Sequence, residues 1–255
     1  INDASIGDTI RLLSNTTEDL TINETVNVDF DGYSVDGFLT VSSSLSDTIY
    51  LTGNGSLTGD LTINTPNGSV TSDLNVSGDV VVTAVATESL ELSGTITGTI
   101  QLNGRGRVVV SRNAELATIE VETTELVIIS GDPNTVINNE ENAVIRIDGE
   151  VTTLQMNASA SVFLENTTEI NNIQTLPNII VVVLVDESTI IPQALSEEVY
   201  VVGFDKAAIN TTTETQYLTV QAAIDAASAG DILAINSGTY TEDIVVNKNI
   251  TLLGD

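Results

Sequence analysis

A four-residue pattern, apolar-x-apolar-polar, recurs along the chain as Leu20-Thr-Ile-Asn23, Leu39-Thr-Val-Ser42, Leu61-Thr-Ile-Asn64, Leu74-Asn-Val-Ser77, Leu90-Glu-Leu-Ser93, Ile100-Gln-Leu-Asn103, Ile119-Glu-Val-Glu122, Leu154-Gln-Met-Asn157 and Ile244-Val-Val-Asn247. Alternation at period two buries one face of a strand and wets the other. From Leu20 to Leu154 the tetrads start 19, 22, 13, 16, 10, 19 and 35 residues apart, and the last interval is long enough to conceal one unmatched repeat. Second apolar stretches lie between them, at Val26-Asn-Val28, Val80-Val-Val82, Val108-Val-Val110, Val127-Ile-Ile129, Ile145-Arg-Ile147 and Val162-Phe-Leu164. Each repeat therefore carries at least two strands. Turn residues separate them, as in Thr52-Gly-Asn-Gly-Ser56 and Gly131-Asp-Pro-Asn134.

Repeats of about 20 residues with two or three short strands each predict an all-β fold, a parallel β-solenoid in which every coil covers the core of its predecessor. A β-sandwich also fits short strands with regular turns. The solenoid is preferred because one tetrad recurs so often, and because only 4 Phe and 5 Tyr are available to fill a sandwich core. The expected organisation is a solenoid module over 1–176, a less regular β segment or joint over 177–216, and a capping helix with the first coil of a further module over 217–255.

One helix is predicted, from Thr219 to Ala229. Thr219 serves as its N-cap, Val220, Ala223, Ile224 and Ala227 fall on one face, and Gly230 stops it. Such a helix would cap a solenoid end. Beyond Gly230 the sequence restates the start of the chain: Asp231 aligns with Asp8 at an offset of 223, and Asn247 with Asn23 at 224. The module period is therefore about 224 residues, with residues 1–4 standing as the last turn of an equivalent helix.

Residues 218–252 resemble the opening coil of the pectin-lyase-like right-handed parallel β-helix superfamily, and residues 6–35 do so more loosely. The middle, including Leu90 to Asn103 and Asp148 to Asn157, resembles the repetitive β-rich stretches of bacterial surface-layer and cell-wall proteins. The superfamily includes polysaccharide lyases, hydrolases and non-catalytic adhesins, so the resemblance implies a fold and leaves the activity open.

The charge balance narrows the partners. Thirty-six acidic residues against seven basic ones give a net charge of −29, which opposes nucleic acid and anionic lipid. Cysteine, histidine and tryptophan are absent, removing thiol and imidazole chemistry and leaving oxygen ligands. No apolar run approaches a membrane span; Ile179 to Val185 stops at Asp186.

Asn27-Val-Asp29-Phe-Asp31-Gly32 mimics the first half of a calcium loop, making Asn27, Asp29 and Asp31 the candidate metal ligands. The twelfth loop position is Phe38 instead of Glu. The same residues also read as a strand, with Val26, Val28 and Phe30 inward, and that reading accounts for all of them. Glu140-Glu141, Glu197-Glu198 and Asp73 with Asp79 offer further oxygen ligands without diagnostic spacing. Arg105, Arg107 and Arg112 form the one basic cluster, where the chemistry of a polysaccharide lyase would have to lie; salt bridging is the plainer reading. Lys206 and Lys248 are the only lysines, and nine Asn-x-Ser/Thr sequons include Asn166 and Asn210.

These features together give the expectation of a non-catalytic structural segment of a secreted microbial cell-surface protein, a layer, fibre or stalk. It would self-associate, with calcium as the candidate bridging ion. The alternatives are an adhesin that binds cell-wall or surface glycan and the non-catalytic part of a polysaccharide lyase or hydrolase. Val109, taken as inward, is expected to unfold a block of coils when replaced by Asp.

Overall fold

The computed structural model describes residues 4–86, 90–111, 117–165, 168–185, 194–195, 199–202, 207–213, 215–217, 219–236 and 238–254. It is a parallel β-solenoid of about eleven turns. The first sheet has eleven strands, running from Thr9–Arg11 through Asn27–Asp29 and onward to Val199–Val202. The second has nine, from Leu20–Ile22 to Glu169–Thr175, and a third has three, Ser34–Val35, Ser56–Leu57 and Asn75–Val76. Isolated parallel bridges Thr16–Val35 and Val76–Ile96 extend that third face by a coil at each side.

The interior is built as columns of like side chains. In the second sheet Leu20 pairs with Leu39, then in turn come Leu61, Val80, Ile100, Ile119, Val136, Leu154 and Ile173. In the first sheet the order is Ile49, Val70, Leu90, Val108, Ile129, Ile147 and Leu164. Strand pairing brings these columns into register although the coils differ in length, the turns absorbing the difference, and nearly all of these residues join one continuous buried cluster. Each coil supplies half of an interface that its neighbours complete.

The registers explain the uneven tetrad spacing. Leu74-Asn-Val belongs to the third sheet and Leu90-Glu-Leu to the first, whereas the other solenoid tetrads lie in the second. Val80 takes the expected place between Leu61 and Ile100. The 35-residue interval conceals one repeat, Thr135–Asn138, between Ile119 and Leu154. There Asn138 stands in an apolar column between Val121 and Met156, with its amide donating to the carbonyls of Ala158 (3.0 Å) and Glu140 (3.1 Å). A buried polar side chain is tolerable because its donors are satisfied.

Val109 is corrected. Gly106–Val110 buries Val108 and Val110, while Val109 is half-exposed on the outer face. Three consecutive valines carry no phase of their own, and pairing with Leu90 and Leu92 sets it.

Past the solenoid tetrads, Val181–Leu184 and Val199–Val202 continue the first sheet. Ala194–Leu195, Ala208–Asn210, Thr215–Tyr217, Ile232–Ile235 and Thr251–Gly254 form a fourth, five-stranded sheet. Helix α1 (Val220–Ala226) covers that sheet, burying Val220, Ala223 and Ile224 with Tyr217 and Leu233. Thr219 is its N-cap, accepting the Ala222 N–H at 3.1 Å through its hydroxyl. The helix ends earlier than the sequence suggests: Ala227 is already extended, and Gly230, at φ +97°, serves the following turn.

Candidate functional site

Asn27, Asp29 and Asp31 alternate outward on and just beyond the second strand of the first sheet while Val26, Val28 and Phe30 are buried. Each outward side chain is engaged. Asn27 Oδ1 accepts the Tyr50 N–H of the next coil at 2.9 Å, and Asp29 Oδ1 accepts the Asp31 N–H at 3.0 Å. Across the strand pair, Arg11 reaches Asp31 at 2.6 Å and Asp29 at 3.5 Å. The hydrogen bond to Asp31 and its charge hold the Arg11 guanidinium above its ordinary value. Asp31 and Gly32 both take positive φ, 49° and 79°, and turn the chain out of the strand. Among the described residues no three acidic side chains converge as a metal-binding group.

Many acidic residues instead staple coil to coil. A solenoid corner interrupts the strand ladder, so backbone N–H groups there need other acceptors. Asp19 accepts the Phe38 N–H at 2.9 Å, Asp60 that of Asp79 at 2.9 Å, and Asp79 that of Thr99 at 2.8 Å. These steps of 19 or 20 residues climb one corner of the solenoid. Beside them Gly37, Gly59, Gly78 and Gly98 stack: a Cβ on Gly59, Gly78 or Gly98 would lie 2.4, 2.5 or 2.2 Å from the carbonyl oxygen of the glycine below. Only glycine lets the coils approach so closely. Asp73 caps the Gly53 and Asn54 N–H groups at 3.1 Å each, and Glu141 that of Ser159 at 3.0 Å. Glu197, Glu198, Arg112, Lys206 and Asn166 lie outside the described residues.

A second cluster occupies the outer face of the first sheet. Arg107, Ile128, Arg146 and Phe163 stand in one outward column on successive strands. Arg107 donates to Ser130 Oγ at 3.0 Å and lies 3.7 Å from Asp148, and Arg146 pairs with Glu165 at 2.9 Å. Sequence reasoning groups Arg107 with its chain neighbours and misses Arg146. The legible signal is that each flanks inward aliphatics in strands two coils apart.

No family model, curated protein or solved structure matches the chain. Its own internal repeat supplies the comparison instead. Residues 4–29 form a first unit and 227–254 a second, and the hydrogen bonds of their turns and of their paired strands match, although Leu20–Ile22 is a strand and 244–246 is not. Gly7 N–H donates to Thr25 at 2.7 Å and Gly230 N–H to Asn249 at 2.7 Å; Asn27 donates to Asp8 at 2.8 Å and Thr251 to Asp231 at 2.9 Å. Asp8 accepts the Ser5 N–H at 2.8 Å, and Asp231 the Ser228 N–H at 2.9 Å. Ile10 pairs with Val28 as Leu233 pairs with Leu252. The turn glycines match too, at φ +86° and +97°.

The surroundings of the two units differ. Over the second, Ala208–Asn210 pairs antiparallel with Ile232–Ile235, and the Asn210 amide donates to Asp231 at 2.8 Å. That bond, with the Ser228 N–H, holds the Asp231 carboxyl below its ordinary range. Asn210 is buried, so its sequon is closed to a glycan. Glu242 accepts the Val220 and Gln221 N–H groups of α1 at 3.0 and 2.9 Å, while Lys248 donates to the Ala227 carbonyl at 2.9 Å and to that of Asp225. One loop therefore grips both ends of the helix with charges that suit its dipole. Packing in this small core pushes the Tyr217 phenol up, chiefly by desolvation.

Proposed function

We propose that the chain is a non-catalytic structural segment of a secreted microbial cell-surface protein, built from β-solenoid modules of the pectin-lyase-like kind and working by assembly. The observation that carries this reading is the second unit, which begins the coil of the first again with the same hydrogen bonds and register. Stacked coils transmit load through parallel ladders, and heterologous ends extend such a rod without closing it. The acidic faces, at a net charge of −29, keep the rods apart until a divalent ion such as calcium bridges them. Sedimentation velocity at rising protein concentration tests this. Growth in sedimentation coefficient with calcium, reversed by EDTA, is expected; a constant monomer in both conditions refutes it.

A second reading, a module that binds an acidic glycan, is favoured by one observation. Arg107, Arg146 and Phe163 share an outward column on an otherwise acidic rod, placing two guanidinium groups and a ring along one stripe. A glycan array distinguishes it: retention of uronate or sulfated oligosaccharides that is lost in Arg146→Ala supports binding, and an empty array removes it.

A further inference from the structure

The fold sorts the nine sequons by what it does with each asparagine amide. Attaching a glycan replaces one hydrogen on Nδ2 and leaves the side-chain oxygen in place. A sequon therefore suits the folded chain only where Nδ2 is exposed and unengaged. Asn67 donates through Nδ2 to the Ser44 carbonyl at 3.0 Å, Asn157 to Asn139 at 2.7 Å, and the buried Asn210 to Asp231 at 2.8 Å. In the Asn23 sequon the threonine, Thr25, is buried. Asn15 and Asn249 lie in the terminal coils, where exposure is no guide. Asn54 and Asn75 remain, each with a coil on either side.

Both belong to the narrow third face. Asn75-Val76 pairs with Ser56-Leu57, so the sequon Asn75-Val-Ser77 lies directly over Asn54-Gly-Ser56. Asn75 is exposed, and its Oδ1 accepts the Thr95 N–H of the next coil at 3.0 Å. A backbone N–H can only donate, so this bond fixes which end of the amide is oxygen and turns the nitrogen away from the staple. Asn54 is exposed in a left-handed turn at φ +50°, with its backbone N–H held by Asp73 at 3.1 Å. Neither Nδ2 donates to a described residue.

We propose that Asn54 and Asn75 are sites of N-glycosylation, with the glycan covering the narrow third face and leaving the two broad sheets to contacts between rods. The donor is an oligosaccharide carried on a polyprenyl phosphate, and the catalyst is an oligosaccharyltransferase. The Nδ2–C1 bond forms as the C1–O bond to the carrier breaks; the phosphate leaves with the electron pair, and the amide gives one proton to a base of the transferase. The Asn75 staple survives, because the product amide keeps its oxygen.

This inference rests on the secreted part of the reading above. Its test is peptide mapping by mass spectrometry of the chain from its native source, separated into cytosolic and cell-surface fractions. Cleavage at Asp47, Asp60, Asp73 and Asp79 puts Asn54, Asn67 and Asn75 on three different peptides. A sugar mass is expected on the Asn54 peptide, the Asn75 peptide or both, with Asn67, Asn157 and Asn210 bare. Ser77→Ala removes any mass at Asn75 and leaves the urea midpoint unchanged, since Ser77 is exposed and the staple is kept. Asn75→Ala removes the mass and also lowers the midpoint, because the Thr95 N–H loses its acceptor. The inference is overturned if Asn54 and Asn75 are both bare, or if Asn67, Asn157 or Asn210 carries the sugar. Bare asparagines on a chain found at the cell surface overturn it alone and leave the secreted reading standing. A chain found only in the cytosol removes that reading as well.

Discussion

Val108 and Val109 are chain neighbours on opposite sides of one strand, and an aspartate at each separates the phase of the coil from its composition. Val108 is 0% exposed and sits between Leu90 below and Ile129 above in an apolar column. Losing its burial costs about 1.5–3 kcal/mol. An unpaired carboxylate among aliphatics is driven towards its neutral form, and a shift of three to five pKa units at about 1.4 kcal/mol each adds roughly 4–7 kcal/mol at pH 7. The total approaches the whole stability of an ordinary domain, about 5–15 kcal/mol. Because each coil leans on its neighbours, the loss falls first on the strands paired with Gly106–Val110, namely Leu90–Leu92 and Leu126–Gly131. Val109→Asp stays at the surface and costs at most about 1 kcal/mol of strand preference. Urea unfolding with hydrogen exchange on both variants reads this. Val108→Asp removes protection from those strands, and its deficit relative to the parent shrinks towards pH 4. The sign comes from linkage: the folded state keeps the proton above the unfolded pKa, so stability falls as pH rises through that window. Equal effects of the two substitutions, or a larger one at Val109, would refute the assigned phase.

Four further outcomes rest on the packing and hydrogen bonds described above. Gly59→Ala puts a Cβ 2.4 Å from the Gly37 carbonyl oxygen and costs about 1–3 kcal/mol in chemical denaturation. Gly254→Ala, with nothing within 4 Å, leaves stability unchanged. Asp79→Ala strips the Thr99 N–H and the Gln101 amide of their acceptor, at 2.8 and 3.0 Å, and lowers stability by about 1–3 kcal/mol; an unchanged urea midpoint would mean that water replaces the staple. The lowered pKa of Asp231 contributes stability that is present above the ordinary carboxylate range and lost as pH falls through the folded value. Protection of the Ser228 amide, taken relative to its intrinsic exchange rate, should therefore fall in the parent once pH drops below the ordinary carboxylate range and lose that dependence in Asp231→Asn.

The solenoid was legible because its interior is written in pairs of aliphatics two residues apart. Leu39 with Val41, Leu61 with Ile63 and Ile119 with Val121 are all buried as the alternation requires. Assignment of strands to faces was not legible. Leu74-Asn-Val and Leu90-Glu-Leu have the local pattern of the second sheet, but the turns before them, which depend on contacts to the coil below, deliver them to other faces. Thr135–Asn138 escaped notice because Asn138 breaks the apolar pattern, and only the Ala158 and Glu140 carbonyls show why an amide is stable there. The α1 face read correctly, since Val220, Ala223 and Ile224 repeat at helical spacing. Its end did not, because Lys248 and the turn at Asp231 are distant or downstream. At the candidate site, Asn27, Asp29 and Asp31 were placed outward by alternation alone, whereas their engagement by Arg11 and Tyr50 depends on register between coils. The repeat at offsets of 223 and 224 residues was visible in sequence, and the matched bonds of Gly7 and Gly230 give it a structural meaning.

The most direct test of the assembly role is negative-stain electron microscopy of the full chain, split between calcium and EDTA. Eleven strands at about 4.8 Å make a single rod roughly 50 Å long. Filaments or sheets many times that length in calcium, dispersing to single rods in EDTA, are predicted. Dispersed rods in both samples would contradict a structural array.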